Sequence, residues 1–239
     1  MKLYHIYDKV KSVMIKDDFI FNDFEPLTSL WIRDDVAETG DLARVADIAI
    51  DRGVPYVSMP IGVVKTFWPW VEGKSIKILA RSRFDIDKNQ DADDAVSVFA
   101  KNITTVFRNG ADGVQVFVPC DKIVQFVDNV YSIRNDLFFD RHLSIAIDID
   151  DMGNLGWGDI FGAISKIKPD SILLFGKVQK FDPSSYFVGR IFDMLGNWNQ
   201  GPGLHLMFGK NMLRVTQVLR LVDKMRSELM KDIRVFVEK

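Results

Sequence analysis

The sequence predicts an α/β fold of the (β/α)8 barrel type, and three observations support this prediction. The chain has 239 residues and 47% hydrophobic content, which suits one well-buried domain of the size that such a barrel needs. Eight short apolar segments have the composition of strands, and segments with helical spacing lie between them. This alternation predicts parallel strands that are joined by right-handed crossovers.

The predicted strands share runs of apolar and β-branched residues bounded by turn residues. They are expected at residues 29–33, 55–59, 76–83, 113–118, 143–149, 171–175, 203–207 and 233–237.

The predicted helices share apolar residues spaced three or four apart, as amphipathic helices require. They are expected at residues 41–52, 92–109, 122–135, 157–168, 184–195 and 212–230, with a shorter aromatic-rich helix at 63–71. Asp41 supplies N-cap chemistry, and Gly53 and Gly110 lie where helices should end.

An open doubly wound sheet is the alternative architecture. No predicted strand is followed by GxGxxG or GxxxxGK[ST], so the usual phosphate turn of that fold is missing from the sequence. The barrel is therefore favoured. Residues 1–239 are expected to form a single domain, with residues 1–26 as an N-terminal helix or cap over the barrel floor.

Composition excludes several classes of partner. The formal net charge is −2, from 31 basic and 33 acidic residues that are interspersed, so neither a nucleic acid nor a membrane is an expected partner. The single cysteine is compatible with a reducing compartment. No signal peptide or apolar membrane span is present in the sequence, and the expected location is the cytoplasm.

Several segments have a familiar order. Residues 41–60 end in a proline after an apolar run, residues 76–84 form an apolar strand with basic residues, and residues 110–119 open with Gly-Ala-Asp. Residues 170–185 then combine an apolar strand with Asp-Pro-Ser-Ser. In this succession the chain resembles deoxyribose-phosphate aldolase, a class I aldolase, and the resemblance implies a (β/α)8 barrel.

The resemblance also implies where an aldolase would carry its functional residues. The aspartate of the fourth strand falls on Gln115, the imine-forming lysine of the sixth strand on Leu173, and the second lysine of the seventh strand on His205. Imine catalysis needs an amine with a lowered pKa, which none of these side chains supplies. Of the family's phosphate-holding glycines, Gly209 is matched and its neighbour is Phe208.

A shift of the alignment by a few residues would offer a different nucleophile. Lys177 or Lys180 could then take the role of the imine lysine. Both follow the predicted sixth strand, where a lysine on a loop keeps an ordinary pKa.

Strand alternation predicts a charged mouth without reference to any family. On the third strand it places Arg81 and Arg83 on the inward face, and on the fifth strand Asp148 and Asp150. The end of the first strand adds Arg33, Asp34 and Asp35. These charges must either pair as an internal salt-bridge network or bind a ligand, with the arginines as anion clamps and an aspartate as base.

Other chemically active residues have a structural and a functional interpretation. His205 is either a hydrogen-bonded core histidine or a general base, and Cys120 is a structural or a reactive thiol. The histidines lack zinc-site spacing, so no metal or other cofactor is expected, although the aspartates at 148, 150 and 151 could bind magnesium without specificity. The aromatic residues at 67–70 suit a helix or subunit contact better than a lid.

Three functional hypotheses follow. The favoured one is a divergent aldolase-like barrel that binds a small anionic or phosphorylated metabolite without Schiff-base chemistry. The second is an active lyase or isomerase that uses Arg81, Arg83, Asp148 and His205. The third is a non-catalytic scaffold, and a homo-oligomer is compatible with each of them. The sequence leaves open whether the protein is an enzyme.

Overall fold

A computed structural model of the chain defines most of the barrel. It describes residues 27–35, 39–84, 92–148, 157–176, 203–207, 215–216, 219–220, 222–224 and 227–238. The expectations for residues 1–26 and for a helix at 184–195 lie outside these residues, as does most of the helix expected at 212–230.

Eight parallel strands form a closed barrel in chain order. They are β1 Thr28–Trp31, β2 Tyr56–Pro60, β3 Lys77–Arg83, β4 Gly113–Phe117, β5 His142–Asp148, β6 Ser171–Phe175, β7 Gly203–Met207 and β8 Ile233–Glu238. β1 also pairs with β8, which closes the cylinder. The predicted (β/α)8 fold is confirmed.

Helices surround the strands on the outside. The described ones are α1 Thr39–Asp51, α2 Val64–Val71, α3 Ala92–Arg108, α4 Ile123–Val130, α5 Arg134–Phe138 and α6 Trp157–Ile167. Short 3-10 turns occupy Ile61–Val63, Cys120–Lys122, Tyr131–Ile133 and Ser227–Asp232.

The single helix expected at residues 122–135 is divided in the structure. A 3-10 turn at Tyr131–Ile133 separates α4 from α5. Ile133 and Phe138 nevertheless continue to pack on the core that lies between the helices and the sheet. The apolar pattern therefore continues across the break and does not reveal it.

Alternation along the strands produces two separate apolar layers. Ile78 and Ala80 of β3 pack outward against the helices, whereas Leu79 packs inside the barrel with Ala146, Leu173 and Phe236. A parallel barrel of this size is filled by side chains, so its interior is a core and not a channel. This arrangement leaves the two ends of the barrel as the places where a ligand can bind.

Gly110 allows Trp68 of α2 to pack closely against the chain at the end of α3. Its φ is +103°, a backbone conformation that side chains disfavour. A Cβ atom there would also lie 2.2 Å from Cγ of Trp68. Gly53 has a φ of +61° as well, but a Cβ atom there would meet open space.

We predict that Gly110→Ala lowers the free energy of unfolding by roughly 3 kcal/mol, because strain and steric overlap with Trp68 combine. Gly53→Ala, the matched control, should lower it by about 1 kcal/mol, since only backbone strain is added. Urea unfolding monitored by circular dichroism would measure both values. Equal losses would show that the indole of Trp68 does not restrict position 110.

Candidate functional site

A cavity of about 430 Å³ opens at the C-terminal ends of the strands. This mouth cavity combines aromatic walls with charged side chains. Its described lining includes Trp31, Asp34, Pro60, Arg81, Arg83, Phe117, Asp148 and Phe175. A mostly apolar cavity of this size with a few polar groups is typical of small-molecule sites, and enzymes with this fold use the same end of the barrel.

Arg81 is a firmly held charge in the mouth cavity. Its Nη2 donates to the carbonyl oxygen of Ile32 at 2.5 Å and to Asp34 Oδ1 at 2.6 Å. Its Nη1 donates to Ser58 Oγ at 3.3 Å, and its guanidinium carbon lies 4.0 Å from the centroid of the Trp31 ring. Four contacts, from β1, the segment that follows it and β2, therefore fix the orientation of the guanidinium.

Burial and pairing act on Arg81 in opposite directions. Its side chain is only 7% exposed, whereas that of Asp34 is 87% exposed. Burial lowers the pKa of Arg81, and the hydrogen bond and charge of Asp34 partly raise it. An arginine stays protonated in proteins despite such a shift, so the mouth cavity contains a permanent cation whose carboxylate partner is largely solvated.

Arg83 and Asp148 also line the mouth cavity. Arg83 is exposed at the end of β3, and Asp148 is partly buried at the end of β5. The structure thus brings together Arg81, Arg83 and Asp148 as the alternation predicted. Asp150, Lys177 and Gly209, which the sequence also suggested as site residues, lie outside the described residues.

Cys120 lies beneath the rim of the mouth cavity. It is 2% exposed and packs in the outer apolar layer. Its Sγ lies 3.5 Å from the backbone oxygen of Asp148. These contacts favour the structural interpretation of the thiol, since reactive cysteines are partly exposed and lie beside cations.

The three positions that the resemblance matches to aldolase residues all face the barrel interior. Leu173 is fully buried and contacts the inner apolar layer. In register it lies between Ala146 and His205. The side chain at the matched imine position is therefore an aliphatic group in a dry core.

Hydrogen bonds link Gln115 in the interior to Arg81 at the mouth through Ser58, a residue that the sequence did not indicate. Ser58 Oγ donates to Gln115 Oε1 at 2.6 Å and accepts from Arg81 Nη1 at 3.3 Å. Both Ser58 and Gln115 are fully buried. Nothing in the sequence distinguishes Ser58, because its importance depends on contacts with residues far along the chain.

His205 belongs to a polar cluster below the apolar layer. Its Nδ1 lies 3.3 Å from Ser171 Oγ, and that hydroxyl lies 2.8 Å from Nε2 of His142. The two imidazole rings are stacked with centroids 5.9 Å apart. Burial lowers the pKa of His205 well below its usual value, so the cluster is an uncharged hydrogen-bonded group.

Aromatic rings separate His205 from the mouth cavity. Phe236 lies between them, with its ring centroid 5.3 Å from His205 and 6.1 Å from Trp31, which lines the cavity. The described lining of the cavity contains Asp148 and both arginines but not His205. The structure therefore does not bring His205 together with the other members of the proposed lyase set.

No group of three or more histidine, cysteine, aspartate or glutamate side chains in the described part of the chain could hold a metal ion. No helix among those residues has the length and apolar character needed to cross a membrane.

The aromatic residues after β2 pack mainly onto the domain itself. Phe67 is fully buried, and its ring lies 6.3 Å from that of Trp70 in an edge-on contact. Trp68 is 36% exposed and covers Gly110.

Solved structures with a similar architecture include aldolases and a lyase. A Toxoplasma gondii ME49 protein described as a deoxyribose-phosphate aldolase has a TM-score of 0.70 at 15% identity, over 94% of this chain and 92% of that one. The tetrameric deoxyribose phosphate aldolase from Aeropyrum pernix has a TM-score of 0.65 at 11% identity, and the match covers 91% of this chain and 86% of that one. A 2,3-dimethylmalate lyase has a TM-score of 0.55 at 10% identity, and the match covers 90% of this chain and 76% of that one.

These similarities confirm the resemblance at the level of the fold. No protein-family model matches the sequence, and no curated protein matches it. At such low identities the similarity shows a shared (β/α)8 barrel fold and leaves the activity to be argued from the site.

The neutral histidine cluster predicts a loss of stability in mild acid. Burial, with smaller effects of Lys77 and Arg134, lowers the pKa of His142 from 6.5 to about 4, although Asp170 raises it. The unfolded chain binds this proton first, so stability is retained above pH 6.5 and decreases as the pH falls toward 4. The expected slope is about 1.4 kcal/mol per pH unit for each histidine.

Urea unfolding between pH 4 and pH 8 would test this expectation, with His142→Gln as the comparison. Glutamine retains a hydrogen-bonding group but cannot titrate. Its stability should therefore depend less on pH than that of the wild type. Identical pH profiles would mean that His142 is not held neutral by the fold.

Proposed function

We propose that the protein binds a small anionic or phosphorylated metabolite in the mouth cavity, with Arg81 and Arg83 as the anion-binding residues. The observation that carries this proposal is the buried, fixed guanidinium of Arg81 at the wall of a 430 Å³ cavity. Planar guanidinium groups bind carboxylates and phosphates with two parallel hydrogen bonds.

Arg81 has the capacity to accept a ligand. Its described hydrogen bonds go to Ile32, Asp34 and Ser58 and use three of its five N–H groups. Asp34 is 87% exposed, whereas the side chain of Arg81 is 7% exposed, so a ligand in the cavity competes for Arg81 with a carboxylate that is itself well hydrated. A phosphate or carboxylate that accepts two parallel hydrogen bonds from Arg81 would therefore replace Asp34 at Nη2.

We also propose that the protein does not form a Schiff base within the barrel. The support is that Leu173 occupies the matched position and that no lysine is buried in the described part of the chain. Lys77 is exposed at the N-terminal end of β3, away from the mouth cavity. Lys177 lies outside the described residues.

An active lyase or isomerase is the second candidate. It is favoured by Asp148, because a carboxylate that shares a cavity with two arginines could act as a base on a bound anion. Its base would be Asp148 and not His205, which lies behind aromatic rings. The scaffold hypothesis has less support, because the mouth is open and most of the aromatic group after β2 is packed inward.

We further propose a cytoplasmic single-domain protein that forms homo-oligomers. The barrel extends from β1 to β8 without a second described core apart from the layers of the barrel. The structurally similar Aeropyrum pernix aldolase is described as tetrameric. The partly exposed Trp68 offers an aromatic surface of the kind that protein interfaces use.

Calorimetric titration with 2-deoxyribose 5-phosphate would test the anion site. We expect binding by the wild type and a loss of affinity of at least about tenfold in Arg81→Leu, because two charge-assisted hydrogen bonds are removed. Asp34→Asn should bind more tightly than the wild type, since Arg81 then has no competing carboxylate.

Uncharged 2-deoxyribose and the variant Arg44→Leu are the controls. Arg44 is an exposed residue of α1 whose partner is Asp41, so its replacement removes one charge far from the mouth cavity. The proposal fails if the uncharged sugar binds as well as the phosphate, or if Arg81→Leu and Arg44→Leu retain the same affinity.

A further inference from the structure

A second cavity lies at the opposite end of the barrel. It has a volume of about 700 Å³. Its walls come from the start of β3, the chain from Tyr131 to the start of β5, and the end of α6. We call it the floor cavity. It shares no described lining residue with the mouth cavity.

Positive charge is concentrated in the floor cavity. Its charged lining consists of five cations and two carboxylates, a formal excess of three positive charges with His142 neutral, namely Lys77, Arg134, Arg141, Lys166, Lys168, Asp140 and Asp170. The whole chain has a net charge of −2. The net charge of the cavity lining is therefore opposite in sign to the net charge of the protein. A positively charged concave surface attracts anions.

Arg134 makes one wall of the floor cavity rigid. It donates to the carbonyl oxygens of Ile167, Phe138 and Lys168 at 3.2, 3.1 and 3.4 Å. These bonds join α5 to the end of α6. Asp170, the nearest carboxylate at 3.4 Å, also accepts from the backbone N–H of Leu143 at 2.8 Å, so much of its charge is already engaged.

Lys77 and Lys168 are the cations most available to a ligand. Both are exposed, and neither pairs with a carboxylate in the described part of the chain. Lys168 has a φ of +45°, in the left-handed region where a glycine usually ends a helix. The helix terminus explains cations at positions 166 and 168, but it does not explain Lys77, which begins a strand.

Two exposed aromatic side chains line the same cavity. Tyr131 is 63% exposed and Phe139 is 90% exposed. A phenyl ring that is almost wholly in water contributes nothing to the core, whereas beside a cationic cavity it can stack on a planar ligand. Cations and free aromatic faces together fit a ligand that has both negative charge and a ring.

We propose that the floor cavity binds a small organic polyanion that has an aromatic ring, such as a nucleoside diphosphate. Lys77, Lys168 and Arg141 would contact the anionic groups, and Phe139 or Tyr131 would stack on the ring. The cavity volume is in the range of small-molecule sites. This site is independent of the anion site proposed at the mouth.

Calorimetric titration of the full chain with ADP, pyrophosphate and adenosine would test the proposal. We expect ADP to bind more tightly than either fragment. Lys168→Glu should weaken ADP binding at least about tenfold, because a cation that contacts the anionic groups becomes a carboxylate. Phe139→Ser should weaken ADP binding about fivefold and leave pyrophosphate binding unchanged.

Lys101→Glu and Arg81→Leu are the controls. Lys101 is exposed on α3 outside the floor cavity and undergoes the same change of charge as position 168. Neither control should alter ADP affinity. The proposal is overturned if ADP does not bind, if Lys101→Glu weakens binding as much as Lys168→Glu, or if Phe139→Ser has no effect. A loss in Arg81→Leu alone would place the ligand at the mouth and would also contradict the proposal.

Discussion

Close packing inside the barrel determines where charge can lie in this protein. Leu173 is fully buried against Leu79, Ala146 and Phe236. An ammonium in this layer would lose its hydration and would need a carboxylate or several hydrogen bonds in return. The pKa of His205, its register neighbour, is lowered by burial in the same way. The interior thus favours uncharged side chains at the depth where an aldolase would hold its amine.

The polar chemistry is consequently divided between the two ends of the cylinder. At the C-terminal end, Arg81 is buried enough to be fixed and open enough to face a cavity. At the N-terminal end, an excess of cations surrounds a larger cavity. Between them lie the aromatic contacts of Phe236 and the neutral cluster of His142, Ser171 and His205. Ligands at the two ends would be separated by this packed interior.

The sequence was most informative where local periodicity controls structure. Alternation along β3 correctly placed Leu79 inside and Ile78 outside, and it brought Arg81 and Arg83 to the mouth. It could not predict the partners of those residues, since Ser58 and Gln115 are 57 residues apart in sequence and meet only because the closed barrel brings β2 and β4 to either side of β3.

The floor cavity was missed for the same reason. Its cations are dispersed between positions 77 and 168, and no charge run marks them. The break between α4 and α5 was also hidden, because Val130, Ile133 and Leu137, spaced three and four residues apart, keep the apolar pattern of a continuous helix.

Borohydride trapping followed by intact-mass measurement tests most directly whether the barrel interior lacks an amine that forms a Schiff base. The wild-type chain would be incubated with 2-deoxyribose 5-phosphate or acetaldehyde and then reduced, since only an imine becomes a stable adduct. We expect no stoichiometric adduct at any single lysine with either aldehyde, and only the dispersed, substoichiometric labelling that exposed lysines give. A stoichiometric adduct that disappears in Lys177→Gln, or that maps to another single lysine, would contradict the inference that Leu173 has replaced the reactive amine.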